Sequence, residues 1–271
     1  MDILSFRYPS VMGVLNVTPD SFSDGGKFSC VENAINHANK IISDGASIID
    51  VGGESTRPGA SSVSEEEELD RVIPVIESLN NLTDIPISID TSKPVVMREA
   101  ISAGASMIND VSALTVPGAL EMAASLRVPV CLMHMQGRPK SMQDCPIYND
   151  VSVDVAAFLN ARVNKCIESG ISKKLIIIDP GFGFGKTHDQ NIELMVNLKK
   201  FKHLGLPILI GLSRKSTLGE ITGRDINDRL SASIAAAVIG VLNGANIVRA
   251  HDVKETVDAL KITSKVMESS Q

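Results

Sequence analysis

Five glycines (Gly45, Gly104, Gly170, Gly205 and Gly244) each stand at the end of a helix-forming stretch, just ahead of a short apolar run. A glycine there supplies the left-handed residue that closes a helix and turns the chain. Five recurrences at the same point of a cycle show a repeated strand–helix unit. The apolar runs fall at 11–16, 46–51, 86–90, 106–111, 128–133, 174–179, 206–211 and 245–249. They are short, unbroken and rich in Val and Ile, as parallel strands are when both of their faces are buried. Helical stretches follow at 31–44, 65–80, 93–103, 117–126, 150–169, 189–202, 228–243 and 252–268. Eight strands, each followed by a helix, is the count of an α/β (β/α)8 TIM barrel. An open doubly wound sheet usually stops at about five to seven strands. The expectation is one TIM-barrel domain over residues 1–271.

Composition narrows the function. Hydrophobic residues make up 44% of the chain, enough for a large core. A formal net charge of −6 speaks against a general nucleic-acid binder. Aromatic content of 3%, with no Trp, speaks against base-stacking platforms. No stretch reaches the roughly 18 apolar residues of a membrane span, and MDILSFRYPS does not read as a secretory leader. Cys30, Cys131, Cys145 and Cys166 lie far apart with no CxxC pair, which offers neither a zinc site nor a disulfide framework. A cytoplasmic protein acting on small molecules is expected. Glu65–Glu68, after Ser64, reads as a capped and solvated helix start.

In a TIM barrel, chemistry sits at the C-terminal ends of the strands. Those ends read Asn16, Asp50, Asp90, Asn109 with Asp110, His134, Asp179, Ser213 with Lys215, and Arg249 with His251. Asp90, Asn109 and Asp179 stand out because each interrupts or ends an apolar run, so they should point, partly buried, into the barrel mouth. The loops at 18–26 and 52–60 exceed the usual βα length of about 2–6 residues, as lids do. The segment 179–186, DPGFGFGK, is not a Walker A loop, since the GxxxxGK[ST] spacing fails. Its alternating Gly and Phe suit a backbone that approaches a flat ligand. Lys215 and Arg249 follow strands seven and eight, the common phosphate site of these barrels. Acceptors on one rim and cations on the other call for a ligand with a donor-rich flat head and an anionic tail.

NVTPDSFSDGG (16–26), GGESTRPGA (52–60), SIDTSKP (88–94), INDVSA (108–113), MHMQGRP (133–139), DPGFGFGK (179–186), GLSRKS (211–216) and RAHDV (249–253) together resemble the bacterial dihydropteroate synthases, of the pterin-binding TIM-barrel family. The resemblance runs in order from about residue 10 to residue 255. It implies a transferase that condenses 6-hydroxymethyl-7,8-dihydropterin diphosphate with 4-aminobenzoate, giving 7,8-dihydropteroate and diphosphate in folate biosynthesis. By this resemblance Asp90, Asn109 and Asp179 would hold the pterin edge, with Lys215 near the ring and Asn16 on Mg2+. Arg249, Ala250 and His251 would meet the diphosphate. Thr56 and Arg57 would belong to the second loop. Phe22, Pro58, Phe184 and Ser216 would border the aminobenzoate, and Gly211 would line the substrate site. Lys215, Arg249, His251 and Arg57 would carry catalysis, and the protein would be a homodimer. The alternative from another class is a pterin-binding module presenting methyltetrahydrofolate to a corrinoid partner. That module needs the acceptor rim but neither the cations nor Mg2+.

Overall fold

Strand and helix alternate as the glycine spacing requires. The computed structural model describes residues 9–18, 27–56, 59–137, 141–144 and 146–269, with backbone alone at 27–30. The strands are β1 (Ser10–Asn16), β2 (Ile48–Gly52), β3 (Ile87–Asp90), β4 (Met107–Asp110), β5 (Val130–Met133), β6 (Ile176–Asp179), β7 (Leu209–Ile210) and β8 (Ile247–Ala250). The helices are α1 (Lys27–Ser43), α2 (Glu65–Leu82), α3 (Pro94–Ser102), α4 (Ala119–Leu126), α5 (Val151–Glu168), α6 (His188–Asn197), α7 (Ser216–Thr222), α8 (Leu230–Leu242) and α9 (Val253–Ser269). All strand pairs are parallel, in the order β6-β5-β4-β3-β2-β1-β8-β7. A bridge between Ile178 and Ile208 joins the two ends, and the sheet becomes a TIM barrel. The five capping glycines all have positive φ, from +65° to +119°.

Strand alternation sorts the side chains into two shells. Ile49, Val51, Ile87, Ile89, Ile108 and Leu132 face outward into the core shared with the helices. Met12, Ile48, Met107, Cys131, Ile177, Leu209 and Ile247 pack against one another inside the barrel. Two residues further along these strands stand Val14, Asp50, Asn109, Met133, Asp179, Gly211 and Arg249, so the apolar layer floors a polar mouth. No helix among the described residues is long and apolar enough to cross a membrane.

The structure departs from the sequence expectation in four places. β7 spans Leu209–Ile210 rather than 206–211, because Pro207 has no N–H to donate to a ladder. A further helix, α7, follows it. Helix 189–202 ends as α6 at Asn197 and continues as a 3-10 turn, Leu198–Leu204. Ser64 caps α2 as expected, its side chain accepting from the Glu67 amide at 3.1 Å. The solvated reading of Glu65–Glu68 fails at Glu68, which is buried and paired with Lys93.

Candidate functional site

Asp90, Asn109 and Asp179 do converge on the mouth, and all three are buried. They share it with Asp50, which is completely buried. Asp50 Oδ2 accepts from Asn109 Nδ2 at 3.0 Å and from Arg249 Nε at 2.6 Å. Arg249 Nη2 donates to Asp90 Oδ2 at 2.9 Å. The acceptor and cation rims expected from sequence are therefore not separate. Arg249 reaches across the mouth and ties β8 to β2 and β3.

Charge is strongly perturbed here. Burial pushes the Asp90 carboxyl up to about 7 against the pull of Arg249, with Asp50 adding to the rise. Burial likewise lifts Asp179 to about 6, opposed by the Gly181 amide and Lys215. Burial works against the Arg249 charge, but Asp50 and Asp90 outweigh it and raise its pKa. Lys215 is brought down to about 8 by burial and by Arg249.

Two loops aim the remaining groups. Asp179 Oδ1 accepts from the Gly181 amide at 2.8 Å, starting the tight turn of 181–186. Lys186 then folds under that turn and is 2% exposed. Its Nζ donates to the carbonyls of Gly181 (2.9 Å) and Phe184 (3.0 Å) and lies 2.9 Å from His134 Nδ1. Burial lowers Lys186 to about 7, and burial together with Lys186 lowers His134 to about 3, so His134 is neutral and packs edge-on to Phe158. The staple leaves Phe184 beneath the Lys215 ammonium, 4.1 Å from the ring centre. Arg214 holds φ +60°, rare for a residue with a side chain. Its amide donates to Ser233 Oγ at 3.0 Å and its guanidinium grips Asp252, which presents the following Lys215 to the mouth. Lys186→Met strips the donor from two carbonyls, and each unpaired buried group costs about 1–3 kcal/mol. We expect a net loss near 2 kcal/mol, checked by urea unfolding.

Ser213 Oγ accepts from the His251 amide at 3.2 Å and sits 3.0 Å from His251 Nδ1. Burial, with Arg249 and Arg214, lowers His251 to about 4, so it acts as a neutral donor. Asn16, at the end of β1, is partly exposed and makes no side-chain hydrogen bond among the described residues. Its Oδ1 lies 3.7 Å from where a side chain at Gly52 would begin. A Cβ built at Gly211 would lie 3.9 Å from the Arg249 Cβ, an ordinary contact. Ala250 is buried, Thr56 partly buried and Ser216 exposed at the start of α7. Phe22, Arg57 and Pro58 lie outside the described residues.

Sequence reasoning missed three supports. Asp50 was read only as a strand end. Lys186, met in the sequence only within the failed Walker A spacing, serves the loop. Lys93 bridges Glu54 of the second loop to Glu68 of α2, anchoring that loop's base. Asp110, which was not selected, accepts from the Ser112 and Leu114 amides at 2.8 Å and is consumed in its own loop.

A family model described as pterin binding enzyme matches residues 12–251. A relative from Escherichia coli K12, a dihydropteroate synthase, is 51% identical over 268 residues, 99% of this chain and 95% of that protein. Among solved structures, the Yersinia pestis dihydropteroate synthase with a sulfonamide drug complex superposes with TM-score 0.93 at 49% identity, covering 98% of this chain and 96% of that one. The Xanthomonas albilineans dihydropteroate synthase in complex with 7,8-dihydropteroate gives TM-score 0.89 at 47% identity, covering 97% and 95%.

Proposed function

The chain belongs to the dihydropteroate synthases, within the pterin-binding enzymes, and from that premise we propose how its barrel mouth joins 6-hydroxymethyl-7,8-dihydropterin diphosphate to 4-aminobenzoate. The C–O bond to the diphosphate breaks, a C–N bond to the amine forms, and the amine gives up one proton. The carrying observation is the convergence of Asp90, Asn109 and Asp179 with Lys215 and Arg249 over one apolar floor. The pyrimidine edge of a pterin presents amino and ring N–H donors, which carboxylate and amide oxygens accept. Asp179 and Asn109 take that edge, with Asp90 beside them.

Lys215, clamped over Phe184, lies along the ring. Arg249, the Ala250 backbone and His251 take the diphosphate, where positive charge and a neutral N–H meet the developing negative charge. Gly211 leaves room beside Arg249. Phe184 and Ser216 border the aminobenzoate, the pocket to which Phe22 and Pro58 are also assigned, and Thr56 and Arg57 serve it from the second loop. Aromatic amines are weak nucleophiles, whereas a dihydropterin delocalises positive charge from its exocyclic carbon. C–O cleavage therefore runs ahead of C–N formation, and closed loops keep water from the cation.

Mg2+ suits the donor set at Asn16. It is a hard ion that accepts one amide oxygen and takes its other ligands from waters and substrate phosphates. Asn16 would hold such an ion, which would supply positive charge to the leaving diphosphate. Cys131 and Cys166 are free and buried, which suits a reducing cytoplasm. A homodimer would use the outer faces of α6 and α8. Asn243 donates to the Met195 carbonyl at 2.9 Å, which brings exposed Ile192 and Val196 beside exposed Ile239 and Leu242.

The test is diphosphate release from the pterin diphosphate. It should require both 4-aminobenzoate and Mg2+ and stop on chelation. Release at full rate after chelation would remove Asn16 from the metal. pH gives a second check. The pterin edge needs ionised acceptors, and Asp179 and Asp90 take up protons near 6 and 7. Pterin affinity should therefore weaken as pH falls from 8 to 5, read by calorimetry. A flat profile would place these carboxylates away from the ring.

A further inference from the structure

We propose that Asp50 is a positioning residue that never touches substrate. On this view it is the permanent counter-ion of Arg249, and it frees Asp90 to accept from the pterin edge. The proposal rests on the assignment of Asp90 to the pterin and Arg249 to the diphosphate made above.

Asp50 and Asp90 share Arg249 but not a situation. Asp50 has no exposure and stands directly above the apolar layer, with Val14 and Ser88 as its register neighbours. Asp90 lies one layer nearer solvent, paired with Gly52 and Asn109, and its side chain is 7% exposed. A ligand entering the mouth meets Asp90 first. One oxygen of Asp50, Oδ2, accepts from both Arg249 Nε and Asn109 Nδ2. It therefore fixes a residue for the anionic tail and a residue for the flat head at once. The guanidinium has five N–H donors, and two of them meet Asp50 and Asp90. The Nε arm can stay on Asp50 while Nη2 leaves Asp90.

Without the Asp50 charge, Asp90 would be the one anionic partner left to Arg249 among the described residues, and a pterin would compete with an arginine for its own acceptor. Asp50 Oδ1 and Ser88 Oγ are both buried and find no hydrogen-bond partner among the described residues. An asparagine at position 50 keeps an oxygen for Arg249 Nε and Asn109 Nδ2. Asp50→Asn therefore removes charge with little change of shape.

The two ligands should respond in opposite senses. With Asp50→Asn, hydroxymethyl dihydropterin should bind about tenfold or more weakly, because Asp90 is held by Arg249. Inorganic pyrophosphate should bind as tightly as to wild type or tighter, because Arg249 has lost one of its two anionic partners. A structural defect would weaken both. Unchanged pterin affinity, or parallel loss of both ligands, would overturn the proposal. Failure of the wild type to bind the pterin would instead overturn the substrate assignment beneath it. Should Asp50→Asn not accumulate as folded protein, Asp90→Asn carries the test. Arg249 then rests on Asp50 alone and pyrophosphate should bind undiminished. A loss there would show that Asp90, not Asp50, holds the arginine.

Discussion

Arg249→Met should abolish measurable turnover and destabilise the barrel by an amount that grows with pH. Asp50 and Asp90, both buried, share this one guanidinium. Removing one partner of a buried ion pair costs about 3–5 kcal/mol. The Arg249 side chain is 22% exposed, so the lower part of that range applies. The pH dependence follows from Asp90, whose folded pKa of about 7 already lies above the unfolded value near 4. Loss of Arg249 removes its strongest opposing influence and lifts it further. A carboxyl raised in the folded state contributes stability at low pH, and that contribution disappears as pH rises through the folded value. Urea unfolding at pH 5.5 and pH 8 should therefore show a larger deficit at pH 8. Equal deficits would mean that Arg249 is not what keeps the buried carboxylates ionised. Diphosphate release measures the catalytic half of the prediction.

Gly181→Ala should be worse still for folding. Gly181 has φ +72°, and an added Cβ would lie 1.8 Å from the His134 carbonyl oxygen. The left-handed conformation alone costs alanine roughly 1–2 kcal/mol. Backbone atoms cannot rotate out of the way as a side chain can, so the turn itself must move. Moving it breaks the Gly181 amide bond to Asp179 and the Lys186 bond to the Gly181 carbonyl. A loss on the order of 4 kcal/mol or more places it among the severe substitutions. Gly183→Ala is the control. Its φ is +80°, but the nearest atom is Lys215 Cδ at 3.2 Å, part of a flexible chain. It should fold and lose activity through Lys215. Thermal melts of the two variants decide the matter, and a Gly181→Ala melt equal to that of Gly183→Ala would contradict it.

The barrel was legible because its period is written in glycines, and a left-handed cap has few alternatives. Asp90, Asn109 and Asp179 were legible because a polar residue at the end of an apolar strand has to face something polar. Asp50 breaks its run in the same way, but strand order along the chain does not say which carboxylate will meet Arg249, nearly 200 residues away. The role of Lys186 was not legible because its partners are carbonyl oxygens and a neutral imidazole, and no side-chain pattern advertises those. Glu68 stands four residues before Val72, at the start of the buried stripe of α2, yet a run of four glutamates hides that position. The seven residues of α7 are too few to show a period.

The barrel closes on very little. Five residue pairs join β1 to β2, two join β7 to β8, and a single bridge, Ile178 to Ile208, joins β6 to β7. Asp179 stands one residue beyond that bridge, and Lys215 follows the short strand on its far side. The acceptor and the cation proposed to flank the pterin ring are thus carried on the two least-stitched staves, and the rest of the cage need not yield when their spacing adjusts. Looser pairing at this seam would let the mouth adjust around a bound ring, while the continuous pairing of β1 to β4 would hold the opposite wall. The Ile178 amide, which donates to the Pro207 carbonyl at 3.0 Å, should accordingly exchange its hydrogen for deuterium well before that of Ile89.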